Sequence, residues 1–414
     1  MFKALESRNF KIFFYGQSIS VIGTWLQKTA VSWMVYSITN SVFLLGLVMF
    51  FSMIPSLFLS PLAGSFLKKY DRHRTMIVLQ FMAMFQAGLM ALVFYTKTYN
   101  IELIMALSLF QGIINSFDMI CRQTMMVEIV DNKDNLANAV ALNTSLSNFA
   151  RIAGPALAGI ILHRFGADVC FIGNFLSYLP VLCSLFLMRL TYQPKLNHKI
   201  EILNDFIEGL DYVKKEADMG KMLLLLVCSS LFVTSFITLL PVFAKDIFSG
   251  NAQTFSWFES SAGIGSLLSA IYLTNLKQGT DVTKITLAAT LLLGSSMILL
   301  SFAPNLLVAL VCTTLCGLGM MAQTSSINIY IQLKSASHMR SRSISYFIMA
   351  YQGMLPIGSL LIGILSHNIG TRLTVTLQGI LCIVAAIVFL IFKNKTKEEE
   401  VTPIVHHPEK MPSK

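Results

Sequence analysis

Arg151 lies near the middle of an apolar stretch from about 136 to 162, three residues before Gly154-Pro155. A stretch of that length crosses a bilayer as a helix. An arginine at that depth costs on the order of 3 kcal/mol or more, so it demands a partner, a water-filled cavity, or both. The Gly-Pro pair interrupts the helical ladder and lets a neighbouring helix approach closely. A charge beside such an irregularity reads as a helix that lines a path and helps gate it; a buried arginine that pins helices together is the alternative. Only two acids, Asp118 and Glu259, fall clearly inside apolar stretches. Arg122 follows Asp118 by four residues and shares its helix face. That spacing fits an intrahelical pair at the membrane edge, or an inner gate or proton-linked switch. Lys28 lies one turn beyond Thr24 in the outer half of the first stretch, and Glu259 near the outer end of the eighth. They are a candidate outer ion pair, or two side chains that snorkel to the surface.

The elements that position these groups are membrane helices. Charged residues make up 13% of the 414-residue chain, against roughly 25% in an ordinary soluble protein. Hydrophobic residues reach 55%, with 30 Phe and 22 Met. Twelve spans are predicted, at about 10–37, 42–67, 74–95, 101–122, 136–162, 168–190, 221–247, 254–275, 283–303, 306–330, 342–366 and 371–393. Met1 to Lys11 leads straight into the first of them without a small-residue cleavage site, so no cleavable signal peptide is expected. Between spans six and seven, Leu203, Phe206, Ile207, Leu210 and Val213 repeat at helical spacing, which predicts an amphipathic helix on the membrane surface or a soluble linker helix. The chain therefore divides into 1–190, a first six-helix half; 191–220, the cytoplasmic linker; 221–393, a second six-helix half; and 394–414, a disordered cytoplasmic tail.

The net charge of +10 does not point to nucleic acid, because the basic residues are segregated by side. With the N-terminus cytoplasmic, 25 of the 31 Lys and Arg fall on inner segments. The outer segments carry four, Lys97, Arg164, Lys245 and Arg372, while Lys28 and Arg151 lie within spans. The positive-inside rule then places both termini in the cytoplasm of a bacterial inner membrane. No Walker loop, HExxH or GxSxG is present, so neither an ATP-driven pump nor an enzyme is expected. Gly317-Leu-Gly319-Met-Met-Ala322 imitates a dinucleotide fingerprint, but inside span ten it reads as small-residue helix packing. The seven cysteines mostly sit in apolar runs and read as packing residues rather than metal ligands. No cofactor and no metal are expected.

The halves repeat one another at an offset of about 204 residues. Gly154-Pro-Ala-Leu-Ala-Gly159 and His163-Arg-Phe-Gly166 in span five match Gly358-Ser-Leu-Leu-Ile-Gly363 and His367-Asn-Ile-Gly370 in span eleven. Gln111-Gly112 likewise matches Cys316-Gly317. A six-plus-six membrane repeat predicts two half-bundles around a central site that work by alternating access.

The chain resembles the major facilitator superfamily, in the branch that contains the enterobactin exporter and many drug exporters. The resemblance is densest at Phe117-Asp118, Arg122-Gln123, Leu136-Ala137-Asn138-Ala139, Leu142-Asn143, Ala150-Arg151 and Gly154-Pro155, with Gly23-Thr24-Trp25 and Gly46 also similar. Gly154-Pro155-Ala156-Leu157-Ala158-Gly159 is similar to the span-five motif that marks exporters in this family, with Ala158 in place of a glycine. The loop beginning at Gly64 is similar to the family's Gly-x-x-x-Asp-Arg signature and runs on through Arg72 and Arg74. Its acidic position, which in the family latches the cytoplasmic side, is Lys68, and Asp71 is the nearest acid. The span-four arginine that relatives link to proton coupling is Ser108 here.

The resemblance implies an all-α membrane protein of twelve transmembrane helices in two six-helix pseudo-repeats. Gln17, Gln27, Gln111, Asn115, Asn143, Asn148 and Gln323 lie in spans that line the cavity in such proteins. Unpaired amides are expensive in lipid, so each is expected to face a partner helix or water. Together they predict a moderately polar pocket with Phe and Met walls, able to adapt to varied shapes. The expected function is secondary transport, with export of a small drug-like or siderophore-like compound against proton uptake by a monomer in the lipid bilayer. A lipid or lysophospholipid flippase or a small-molecule importer is the alternative within transport, and a membrane enzyme or receptor scaffold the alternative outside it.

Overall fold

Apolar runs of this length become helices because hydrocarbon offers no hydrogen-bond partners, so each backbone N–H and C=O has to be satisfied within its own segment. The structure, a computed structural model, describes residues 3–131, 135–188, 208, 210–214, 216–276, 280–336 and 339–401. Among them all regular structure is helical. A short turn, Lys3–Glu6, precedes α1 (Arg8–Thr39), α2 (Val42–Lys69), α3 (Arg72–Tyr95), α4 (Ile101–Ile129), α5 (Leu136–Arg164) and α6 (Ala167–Leu187). Then follow α7 (Ala217–Phe232), α8 (Ala252–Thr274), α9 (Val282–Ser301), α10 (Leu306–Lys334), α11 (Arg340–Gln352), α12 (Met354–Ile369) and α13 (Thr371–Val401). Among the described residues, ten segments are long and apolar enough to cross a membrane: α2 to α6, Asp218–Ile247, α9, α10, Ser343–Ile369 and α13. The other two long helices, α1 and α8, carry the polar residues of the cavity described below and are less apolar for that reason.

Short polar caps start many of these helices. Asn100 accepts from Glu102 N (2.8 Å) and Leu103 N (3.1 Å), and Asp71 accepts from His73 N (2.9 Å) and Arg74 N (3.3 Å). Asn251 and Thr254 form a reciprocal capping box at the start of α8. The turns α5–α6 and α12–α13 pass through Gly166 (φ 95°) and Gly370 (φ 85°), a region that side chains rarely tolerate.

Several expected boundaries are corrected. The fourth span does not end at 122 but continues through Ile129, which puts Asp118 about three turns inside the helix instead of one. The expected helix 221–247 is broken: α7 stops at Phe232, and the chain continues through tighter turns over Thr234–Leu239, a single turn Leu240–Val242 and a wider turn Phe243–Ile247. Pro241 supplies no N–H, and Ser235 Oγ donates to Ser230 O (3.1 Å), so side chains replace part of the regular ladder. Span eleven is likewise divided at Gly353, which packs against Leu57. The final helix extends past 393 to Val401, and 402–414 lie outside the described residues. Of the linker pattern, Leu203, Phe206 and Ile207 lie outside the described residues. Leu210 and Val213 pack with Met219, Leu223, Ile331 and Phe347. That part of the apolar face is thus turned onto protein, not onto lipid.

Helix packing follows an ordered scheme. In the first six helices, α1 packs on α5 and α6, α2 on α4, and α3 on α4 and α6. After residue 216, α7 packs on α11, α12 and α13, α8 on α10, and α9 on α10 and α13. The two groups meet along α2 with α12 and α5 with α8. Small residues permit this closeness. A Cβ on Gly112 would stand 2.6 Å from Ser52 O, and one on Gly317 would overlap Ala262 O. Gly159 faces Ser256, and Gly363 faces Val42 O and Gly46.

Gly317→Ala is expected to force α8 and α10 apart and to cost about 1–3 kcal/mol, the usual range for overpacking. Gly173→Ala, where a Cβ meets nothing within 4 Å, is expected to be neutral or stabilising. Thermal unfolding of the two purified variants in detergent measures the contrast; equal melting temperatures would sink the packing argument.

Candidate functional site

Polar residues on α1, α4 and α5 recur every three or four positions, which places each set on one helix face. The stripes are Gln17, Ser20, Thr24, Lys28 and Ser32 on α1; Gln111, Asn115, Asp118 and Arg122 on α4; and Asn143, Ser147 and Arg151 on α5, continued one turn on by the apolar Pro155. All three face one cavity of about 620 Å³. The other wall comes from Thr234, Ser235 and Thr238 in the irregular segment, from Glu259 and Gly263 on α8, and from Met320, Tyr351 and Ser359. A volume in this range suits a drug-sized molecule.

One charged network lies on the α4 wall. Asp118 and Arg122 form an ion pair, and both side chains are largely buried. Gln80 Nε2 donates to the other carboxylate oxygen of Asp118 (2.7 Å). Gln17, with its amide turned to suit its neighbours, accepts from the Arg122 guanidinium. This arrangement ties α1, α3 and α4 together, and the charge is satisfied within the first six helices. Gln111 Nε2 donates to Asn115 Oδ1 (2.9 Å), leaving Gln111 Oε1 without a partner.

A second charged group surrounds Trp25. Lys28 Nζ lies 4.7 Å and Arg151 Cζ 5.6 Å from the centroid of its ring. Gly154 explains how α5 comes so near, since a Cβ there would strike Trp25 Cβ. Across the interface Thr29 Oγ1 donates to Glu259 Oε2 (2.5 Å). The expected outer ion pair is therefore corrected: Glu259 and Lys28 are electrostatic neighbours, but the hydrogen bond to Glu259 comes from the adjacent Thr29, and the ammonium lies over Trp25.

The helix ends where α1 terminates and α8 begins form the far face of the bundle, opposite the start of the chain. There the two groups of helices are clasped. Tyr36 Oη donates to Asp246, Lys245 Nζ donates to Asn40 Oδ1 (2.6 Å) and Ser37 O (3.1 Å), and Trp33 stacks on Phe255 at 6.0 Å between centroids. Asn251 pairs with His163 Nδ1 (3.3 Å).

The predicted amides divide. Gln17, Gln111, Asn115 and Asn143 line the cavity. Gln27 and Gln323 are buried between helices instead. Gln27 donates to Gln86 (3.0 Å) and accepts from Asn174 (2.7 Å); Gln323 donates to Thr290 (2.9 Å) and accepts from Ser229 (2.7 Å). Asn148 is partly exposed but is not among the lining residues. The expected Phe wall is also corrected: among the described residues the lining is Met49, Met53, Met119 and Met320 with Trp25, Tyr178 and Tyr351, and no Phe. Gly64 and Lys68 fall in the last turns of α2. Asp71 caps α3, Arg74 lies 3.6 Å from it, and Arg72 pairs with Glu128 at the end of α4. Sequence reading missed Gln80, Tyr178 and the serine stripe; the recurrence of Gln17, Ser20, Thr24, Lys28 and Ser32 was the available signal. No cluster able to hold a metal occurs among the described residues.

With this geometry in view, the chain matches the transmembrane secretion effector family over residues 1–413. It belongs to that family. It is a major facilitator transporter, not an enzyme, and its relatives fall in the siderophore and drug branch. It is 26% identical to the staphyloferrin A transporter of Staphylococcus aureus over 94% of this chain and 98% of the relative. It is 21% identical to the multidrug efflux pump Tap of Mycolicibacterium fortuitum, over 85% and 88%. The crystal structure of the nucleoside transporter NupG has the same fold, with a TM-score of 0.74 at 13% identity over 93% of this chain and 99% of that one. A bacterial homologue of the lysosomal transporter Spinster gives 0.73 at 10% identity, over 95% and 98%.

The Tyr36–Asp246 contact is a charge-assisted hydrogen bond and is expected to contribute about 1.5–3 kcal/mol. In a double-mutant cycle of Tyr36→Phe and Asp246→Asn, read by unfolding in detergent, the two losses are expected to be strongly non-additive. Simple additivity would show that the clasp carries no coupling.

Proposed function

We propose that this protein is a secondary active exporter of a small organic compound, siderophore-like or drug-like, driven by proton uptake and working by alternating access. The observation that carries the proposal is a polar cavity walled by two separate groups of helices that are clasped to each other at the far face. A carrier needs a central site flanked by helix groups able to rock against one another, with gates that break and re-form. Tyr36–Asp246, Lys245–Asn40 and Trp33–Phe255 are suited to be one such gate.

The reading includes twelve spans in two six-helix repeats, with α1 and α8 completing the ten apolar segments. Contacts at the 204-residue offset support it. Gly112 touches the second span and Gly317 the eighth; Gly159 touches the eighth and Gly363 the second. Each packing pair in one half has its counterpart six spans away. The halves we assign are 1–190 and 221–393, joined by 191–220. Because 24 of the 31 basic residues, with Arg122 now on the cavity wall, belong to segments we assign to one side, we place both termini in the cytoplasm and the clasped far face outward.

Reporter fusions at residues 205 and 414 are expected to be active only with a cytoplasmic reporter, and periplasmic activity at either site would invert the map. For coupling, Asp118 and Glu259 are the acids on the cavity wall; Asp118 is held within the first six helices by Arg122 and Gln80, whereas Glu259 accepts from Thr29 across the interface. In proteoliposomes, substrate export is expected to accelerate when the receiving side is acidified. Asp118→Asn is expected to lose most of that response, on the order of tenfold or more, with Glu259→Gln the second candidate. A wild-type flux indifferent to the gradient would remove proton antiport; wild-type behaviour in both variants would move the coupling elsewhere. Flux in the opposite sense under the same gradient would identify an importer.

A further inference from the structure

The cavity carries three basic side chains, Lys28, Arg122 and Arg151, against two acids, Asp118 and Glu259. The acids are already engaged. Asp118 is held by Arg122 and Gln80, and Glu259 accepts from Thr29. Arg151 differs from Arg122 in having no carboxylate opposite it. No ion pair or hydrogen bond from its guanidinium occurs among the described residues, and its Nε is buried without a partner. Its one close neighbour of note is the face of Trp25, which Lys28 also approaches. A guanidinium keeps its charge at any ordinary pH, and its planar fork matches a carboxylate with two parallel hydrogen bonds. Leaving such a group without a counter-charge at membrane depth is costly.

From this we infer that the cavity selects organic anions: a carboxylate on the transported compound docks on the Arg151 fork, Lys28 adds a second positive contact, and Trp25 supplies a flat apolar surface for the adjoining body of the molecule. The inference rests on the transport reading of the same cavity and adds the charge class of its substrate. It also orders the two basic residues. Arg151 is the anchor, because Lys28 shares its field with Glu259.

Two xanthene dyes of similar size and opposite charge test it. Carboxyfluorescein is anionic and rhodamine 6G cationic. Their binding to the full chain in phosphatidylcholine nanodiscs, which lack anionic lipid, is read by fluorescence anisotropy. Carboxyfluorescein is expected to bind on the order of tenfold tighter than rhodamine 6G and to weaken with added salt. Arg151→Gln is expected to lose about tenfold for carboxyfluorescein, Lys28→Gln less, and Arg151→Lys to retain part of the affinity. Equal or tighter binding of rhodamine 6G to the wild-type protein overturns the inference, whether or not the Arg151 variants fold. So does an Arg151→Gln protein that binds carboxyfluorescein like wild type. Flux in proteoliposomes separates the two levels. Selective anion binding without flux upholds the anion site and removes the transport reading; flux of rhodamine 6G without anion binding does the reverse.

Discussion

A charge taken out of water has to be answered by something nearby, and most of this molecule is arranged around that requirement. Hydrocarbon lowers the dielectric so far that an isolated ion is prohibitive. The chain meets the demand in three ways. Arg72 and Glu128, near the helix ends, pair with each other. Asp118 and Arg122, deeper in, pair and recruit amides from two further helices. Arg151 is turned to the cavity, where Trp25 offers only the weaker attraction of a ring face. Asp118 and Arg122 are therefore answered by protein groups, while the Arg151 guanidinium faces the cavity with no ion pair among the described residues.

The uncharged polar groups follow the same logic with less at stake. Several amides inside the helix bundles are hydrogen-bonded between helices and act as cross-ties. Gln27, Gln86 and Asn174 link α1, α3 and α6, and Gln86 also reaches Leu107 O on α4 (3.1 Å). Ser229, Gln323 and Thr290 link α7, α10 and α9, while Gln378 Nε2 bonds Phe232 O (2.7 Å). Each of the two groups of helices thus has a polar core of its own. Between the two groups of helices, the contacts include glycine-backbone approaches, the clasp at one face, the Thr29–Glu259 hydrogen bond and one from Ser260 Oγ to Ile152 O (3.3 Å). A continuous polar network across that interface would resist relative movement of the two groups of helices.

Broken helices sit where the cavity needs polar backbone or side chains. Thr234, Ser235 and Thr238 line it from a segment whose ladder is irregular. Non-helical backbone at membrane depth is tolerated only where it is covered by protein or faces a wet cavity. The irregularity is thus a local consequence of the site and not a general loosening of the fold.

The sequence by itself determined that this is a helical membrane protein, because an apolar run of sufficient length has no other way to satisfy its backbone. It also carried the turn glycines, Gly166 and Gly370, and the depth of Arg151 near the middle of its run. It recorded which residues are costly, but not what answers each of them. From one dimension Gln27 and Gln17 look alike, ten residues apart on α1. Only packing sends Gln27 into the α3 and α6 contacts and Gln17 to the cavity. Likewise the sequence offered Lys28 as a partner for Glu259, and the tertiary structure gave that place to Thr29, one residue along, because it is Thr29 that the helix rotation turns toward α8. The break in the segment after Phe232 was hidden for a related reason: its hydropathy is that of an ordinary span, and the competing side-chain hydrogen bonds become decisive only beside a cavity. Partners of charged and polar groups are set by helix rotation to within a fraction of a turn, and that rotation is fixed by contacts far apart in the chain.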